Sequence, residues 1–156
     1  MTQAKFTVIP VSKRRAFWIG GQHQAVIVGG PETGDRYALS HSTIARGGGA
    51  LEHQHSREAE AFYVIAGTLR FAIGGQTVTL AKGDFLHAEP GQKYSFEALE
   101  PSEVLILYAP AGLERFIAES GIADADGYQR SIDEAGGVLA AAPAYGVNYT
   151  AVPGSK

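Results

Sequence analysis

The stretch Gly47-Gly-Gly-Ala-Leu-Glu-His53-Gln-His55-Ser-Arg-Glu-Ala-Glu60-Ala-Phe-Tyr-Val-Ile-Ala-Gly67 concentrates the ionisable and apolar signals that decide the fold. Alternate residues of a β-strand project to one face, so the imidazoles of His53 and His55 point the same way. A bend over residues 56–59 would return the Glu60 carboxylate to the same pocket. Two imidazoles and one carboxylate form the facial set that suits Fe(II), with positions left open for oxygen or substrate. The same set takes Zn, Mn, Ni or Co, and the residue types do not choose among them. Beyond Glu60, Ala61 to Ala66 is almost continuously apolar, as in a strand covered on both faces. The run Gly47-Gly-Gly49 is followed by neither a lysine nor a helix, so it reads as a strand entry needing close backbone approach rather than a phosphate loop.

Outward from this segment the chain keeps a two-residue period. Leu69, Phe71 and Ile73 alternate with Thr68, Arg70 and Ala72; Gly74-Gly75 turns the chain into Val78 and Leu80, which alternate with threonines. That is a hairpin with one polar face. Gly83-Asp84 leads into Phe85 to Ala88, Pro90-Gly91 breaks that strand, Tyr94 to Ala98 resumes, and Val104 to Tyr108 is the last strong strand. Upstream, from Lys5 onward, the text also reads as strands, with Phe17-Trp18-Ile19 and Ala25 to Val28 divided by Gly20-Gly21 and with Gly29-Gly30-Pro31 as punctuation. After Tyr108 the period changes. Leu113, Phe116 and Ile117 share one helical face with Gly121 as a stop, and the capping-box spacing Ser131 to Glu134 suggests a second helix as far as Ala142. Strands first and helices last predict an all-β barrel with a C-terminal helical cap.

Composition sets the outer bounds. The 156 residues suit one domain, 45% hydrophobic and 19% charged, as in an ordinary folded protein. A net charge of −3 with no basic cluster argues against nucleic acid as a partner. No apolar run is long enough for a membrane span, and Met1 to Pro10 lacks a signal-peptide core, so the expectation is a cytoplasmic protein with no membrane association. The absence of cysteine removes disulfides and thiolate chemistry.

The spacing around His53 resembles the first signature of the cupin superfamily: glycine, five residues, His-x-His, three or four residues, Glu, six residues, glycine. Gly47, His53, His55, Glu60 and Gly67 fill every fixed position. The second signature is followed approximately in Gly83-Asp-Phe-Leu-His-Ala-Glu-Pro-Gly91. Pro90 falls one place late, Tyr94 occupies the position of the family's last histidine ligand, and Ala98 that of its asparagine. Trp18 to Tyr108, the helix from Ala109-Pro-Ala-Gly-Leu-Glu-Arg-Phe116, and Ala144-Tyr-Gly-Val147 look like small single-domain bacterial cupins of the quercetin-dioxygenase-like type. The resemblance implies a double-stranded β-helix (a jelly-roll barrel) with short C-terminal helices: one cupin domain over 1–156, core about 17–109, cap about 110–147. It also implies a homodimer, and the apolar residues Phe6 to Val11 with Phe17-Trp18-Ile19 read as a segment that pairs with a second subunit's sheet edge.

On this reading His53, His55 and Glu60 hold a divalent ion (Fe, Ni, Mn, Zn or Co). Glu60 and Tyr94 are the catalytic candidates, Tyr94 as a phenolate ligand, as a hydroxyl near the open position, or as an ordinary half-buried tyrosine. His41 could replace the missing ligand but reads more simply as a hydrogen-bonded strand residue. His87 and the turn residue His23 are set aside; Glu52 and Glu58 are read as solvent-facing or, alternatively, as hydrogen-bonding a ligand imidazole, and Arg57 and Arg70 as solvated. The expected function is a metal-dependent small-molecule enzyme, of dioxygenase type on an aromatic or enol substrate enclosed by Phe62, Val64, Phe71 and Phe96. Its rival is a non-catalytic cupin that binds a small ligand as sensor or carrier at a degenerate metal site.

Overall fold

The computed structural model describes residues 5–123, 127–133 and 135–150. Two antiparallel sheets face each other. One contains β1 (Arg15–Ile19), β2 (Gln22–Val28), β3 (Ala38–Ile44), β5 (Ala59–Ala66), β8 (Phe85–Ala88) and β10 (Ser102–Ala109), in the spatial order β1-β2-β3-β10-β5-β8. The other contains β4 (Gly49–His55), β6 (Thr68–Ile73), β7 (Gln76–Ala81), β9 (Tyr94–Ala98) and β11 (Val147–Tyr149), in the order β11-β4-β9-β6-β7. From β3 to β10 the chain changes sheet at every connection except the β6–β7 hairpin. This is the double-stranded β-helix that the sequence led us to expect.

Alternation explains the core. Phe62 and Val64 of β5 and Val104 and Ile106 of β10 face Leu69 and Phe71 of β6 and Phe96 of β9, all buried. Phe62, Phe71 and Phe96 form an aromatic triangle with ring centroids 5.1, 5.2 and 5.5 Å apart. Each such ring contributes about 1.5–3 kcal/mol through burial alone.

Helix α2 (Leu113–Ser120) lays Leu113, Phe116 and Ile117 over one end of the barrel. Its start is fixed by the buried carboxylate of Glu114, which accepts hydrogen bonds from the backbone N–H of Gly30 at 2.8 Å and of Gly112 at 2.7 Å. Beyond it, Ile122 exchanges both backbone hydrogen bonds with Trp18 at the β1 edge.

Several expectations need correction. Strands begin at Arg15, not Lys5; Gly30–Thr33 form a short helix, because Pro31 suits a first turn. Tyr63 is 46% exposed, so β5 is covered on one face only there. The second helix starts earlier, as α3 (Gly127–Asp133) and α4 (Ala135–Ala141) with a 3-10 turn at Ala142–Tyr145. Ser131 lies inside α3, donating to the carbonyl of Tyr128 and accepting from Gly21 N–H instead of capping; its expected partner Glu134 lies outside the described residues. The expected cap ends in a strand, β11. No helix among the described residues is long and apolar enough to cross a membrane.

Candidate metal centre

His53 and His55 come from one sheet and Glu60 from the other. The crossing at 56–58 is held by Ser56 N–H donating to Gly146 O at 2.8 Å and by Arg57 donating to the carbonyl of Tyr145 at 3.1 Å. The carboxylate therefore meets the imidazoles across the interior. One ligand atom from each residue falls within 4.8 Å of the others, and all three side chains are buried.

A β-bulge sets the aim of the two histidines. Ala50 pairs with Phe96 and His53 with Tyr94, so Leu51 and Glu52 stand opposite Ser95 alone. The extra residue flips the alternation and turns positions 53 and 55, not 52 and 54, inward. The bulge carbonyl of Leu51 then accepts from His53 Nδ1–H at 2.6 Å. A carbonyl can only accept, so Nδ1 carries the proton and Nε2 is the bare nitrogen.

His55 Nε2 lies 3.0 Å from Glu60 Oε2, but off the angle of a hydrogen bond, so the contact is electrostatic. Both nitrogens of His55 and that carboxylate oxygen are buried without a hydrogen-bond partner among the described residues. Burial pushes the His53 imidazole below its ordinary pKa, helped by His55 and opposed by Glu60. Burial acts the same way on His55, but the carboxylates of Glu60 and Glu58 outweigh it and the net shift is upward.

Tyr94 stands opposite His53, its ring centroid 4.7 Å from that imidazole and 6.3 Å from His55. Its hydroxyl is buried and unpartnered among the described residues. Removing an unpaired buried hydroxyl relieves its desolvation cost. Tyr94→Phe is therefore expected to leave metal content unchanged and to raise stability by about 1 kcal/mol, read from chemical denaturation.

The other histidines lie elsewhere. His41 points outward and pairs with Glu103 at 3.2 Å, and His87 pairs with Glu89 on the surface. His23 is a strand residue, its ring edge-on to Trp18, rather than a turn residue. Glu52 is exposed as expected, whereas Glu58 is only 2% exposed and burial raises its carboxyl pKa. Arg70 is not free: it pairs with Glu97 across the strands.

Sequence reasoning missed other residues at this site. β11 places Tyr149 opposite His53, with ring centroids 5.3 Å apart; burial, then the Glu60 charge, push its phenol up to about 12. Tyr108, the register partner of Glu60, is fully enclosed, and burial, then Glu60, hold its pKa well above the ordinary value. Both phenols therefore remain protonated. The centre opens into a cavity of about 750 Å³, bounded by Gln22, Gln24, Phe71 and Phe96 and by Phe116 of α2.

These features define a double-stranded β-helix with a buried His/Glu cluster, and known proteins resemble it as follows. The family model described as "Cupin domain" matches residues 40–109. KdgF from Halomonas sp. has the same fold, with a TM-score of 0.62 and 21% identity over 70% of this chain and 99% of that one. The nucleoside dehydratase Pac13 of Streptomyces gives 0.57 at 21%, over 73% and 88%. A predicted oxalate decarboxylase of Thermotoga maritima gives 0.60 at 18%, over 67% and 99%. At these identities the likeness is one of fold. Mannose-1-phosphate guanylyltransferase of Salmonella montevideo is 33% identical over 76 residues, 46% of this chain; the match spans only 16% of that protein's length.

Proposed function

We propose that this protein is a metal-dependent enzyme acting on a small molecule inside the barrel, of dioxygenase type on an aromatic or enol substrate. One observation carries the reading: three buried ligand groups from opposite sheets converge, and both nitrogens of His55 and one oxygen of Glu60 have no hydrogen-bond partner among the described residues. Unsatisfied buried acceptors cost about 1–3 kcal/mol each, and a cation at their meeting point removes that cost. His53 would bind through Nε2, with His55 and Glu60 completing the set. A divalent ion there supplies a Lewis acid for an enolate or hydroxyl oxygen and, if redox-active, a place for O₂. The chain's own residues do the rest. Phe62, Phe71 and Phe96 keep water away, Leu51 O fixes one imidazole, and the Tyr94 ring packs beside both imidazoles. Fold neighbours described as a dehydratase and a predicted decarboxylase support an enzyme with its chemistry set by the site rather than the barrel.

The test is metal analysis of chelator-free protein, followed by oxygen uptake with the flavonol quercetin. About one ion per chain and substrate-dependent uptake support the reading; no uptake of Fe, Ni, Mn, Zn or Co on reconstitution overturns it. Tyr94 at the position of the last histidine favours a second reading, a ligand-binding protein without turnover, which predicts quercetin binding with no oxygen consumed. Metal binding also carries a pH signature. The upward-shifted His55 holds a proton below its folded pKa, and that proton must leave when the ion binds. Apparent affinity should therefore rise with pH as His55 loses its proton, with proton release seen by calorimetry in buffers of different ionisation enthalpy.

Phe6, Val8 and Val11 are 76%, 77% and 69% exposed. We take this apolar segment as the dimer contact of a one-domain cytoplasmic protein. Light scattering should give twice the chain mass, and Phe6→Asp with Val8→Asp should give monomers.

A further inference from the structure

The inward face of β2 carries two buried glutamines two residues apart, 5% and 6% exposed, and the fold treats them differently. Gln22 is partnered at both ends: its amide nitrogen donates to the carbonyl of Gly49 at 2.9 Å and its oxygen accepts from Ser42 Oγ at 3.2 Å. It ties the two sheets together. Gln24 is partnered at one end. Its oxygen accepts from the Tyr108 hydroxyl at 3.1 Å, while its amide nitrogen has no protein partner among the described residues and the side chain borders the cavity. The NH₂ end is the one left over. Tyr108 also stands opposite Glu60, which puts Gln24 one phenol ring away from the metal-ligand cluster.

We propose that Gln24 is a specificity-determining residue of this site, offering its N–H donors to an uncharged carbonyl oxygen of the bound ligand. The proposal rests on the small-molecule reading above and narrows it to a ligand class. An amide donor that faces the cavity favours a ligand that brings an acceptor, and an analogue without one forgoes that hydrogen bond. The acceptor is uncharged because the described cavity lining offers no free cation: its basic side chain, Arg70, is already paired with Glu97. In the metal-free protein a carboxylate or phosphate placed near Gln24 would meet the negative field of Glu60 without compensation. The apolar remainder of the wall suits an aromatic or alicyclic body.

The test compares acetophenone with its isostere α-methylstyrene, in which CH₂ replaces the carbonyl oxygen, and with benzoate. Binding to the full-length chain is followed by NMR, with and without Mn²⁺. Acetophenone should bind roughly three- to tenfold tighter than α-methylstyrene, as one neutral hydrogen bond allows. It should also shift the side-chain NH₂ resonances of Gln24, and in metal-free protein it should outcompete benzoate. Gln24→Met, close in shape but without donors, should bind both neutral probes equally. Equal affinities in the unmodified protein, an unmoved Gln24 NH₂ signal, or a preference that survives in Gln24→Met would each overturn the proposal. The metal reading fails separately: if Mn²⁺ is never taken up but the carbonyl preference stands, the metal centre is wrong and Gln24 is right.

Discussion

Replacing His53 with alanine is expected to lower divalent-metal affinity by more than about 100-fold while leaving the barrel folded. Losing an outer partner of a metal ligand typically costs about 10- to 100-fold, and His53 is proposed as a ligand itself. Its Nε2 is already bare because the Leu51 carbonyl holds the proton on Nδ1. No other histidine can step in, since His41, His87 and His23 lie on outward faces or against Trp18. The measurement has two arms. Metal content after purification without chelators should fall from near stoichiometric to a small fraction. Melting with excess Mn²⁺ provides the second arm: at a thousandfold excess over Kd the parent gains about 4 kcal/mol, which the variant should lose almost entirely. A His53→Ala protein that keeps its ion and its Mn²⁺-dependent melting shift removes this residue from the ligand set.

Gly67→Ala should destabilise the fold by about 3–4 kcal/mol, of which about 1–2 come from the left-handed backbone and the remainder from overlap. Gly67 has a φ of +84°, and a Cβ there would lie 2.6 Å from the carbonyl oxygen of Pro101 and 2.7 Å from Cα of Ser102. Those are backbone atoms at the start of β10, pinned where Ser102 Oγ accepts from Thr68 N–H at 3.0 Å. They cannot swing aside as a side chain would. For a chain of this length the loss corresponds to a fall in Tm of about 6–16 °C. Gly75→Ala is the control: its φ is +74° but nothing lies within 4 Å, so only the conformational cost remains. If the two variants melt together, close approach is not what requires glycine at 67.

The legible part of this molecule is the part whose causes are local. Leu69, Phe71 and Leu80 are buried and Arg70, Ala72 and Thr79 exposed because β6 and β7 separate core from solvent, which is what period-two reading assumes. The shared face of His53 and His55 follows from the same rule, and their pairing with Glu60 from the turn between them. The bulge was not legible, since it is defined by Ser95 of another strand facing two residues of β4. Glu58 looked like a solvated carboxylate, yet Gly112, far along the chain, approaches its carboxyl oxygen. Gln22 and Gln24 defeat the amphipathic rule itself: polar positions on β2 point inward because they border a cavity at one end of the packed core. β11 spans three residues, too few to show any period.

That short strand has a consequence for how the protein is made. During synthesis β4 emerges early, but its outer edge is paired only when Val147 to Tyr149 arrive. Until then the histidine-bearing strand is an unprotected border, open to water, to premature ions and to neighbouring nascent chains. The centre is thus sealed only after every other described strand has been made. Versions shortened just before Val147 should therefore aggregate during expression rather than accumulate as a soluble barrel that merely lacks its tail.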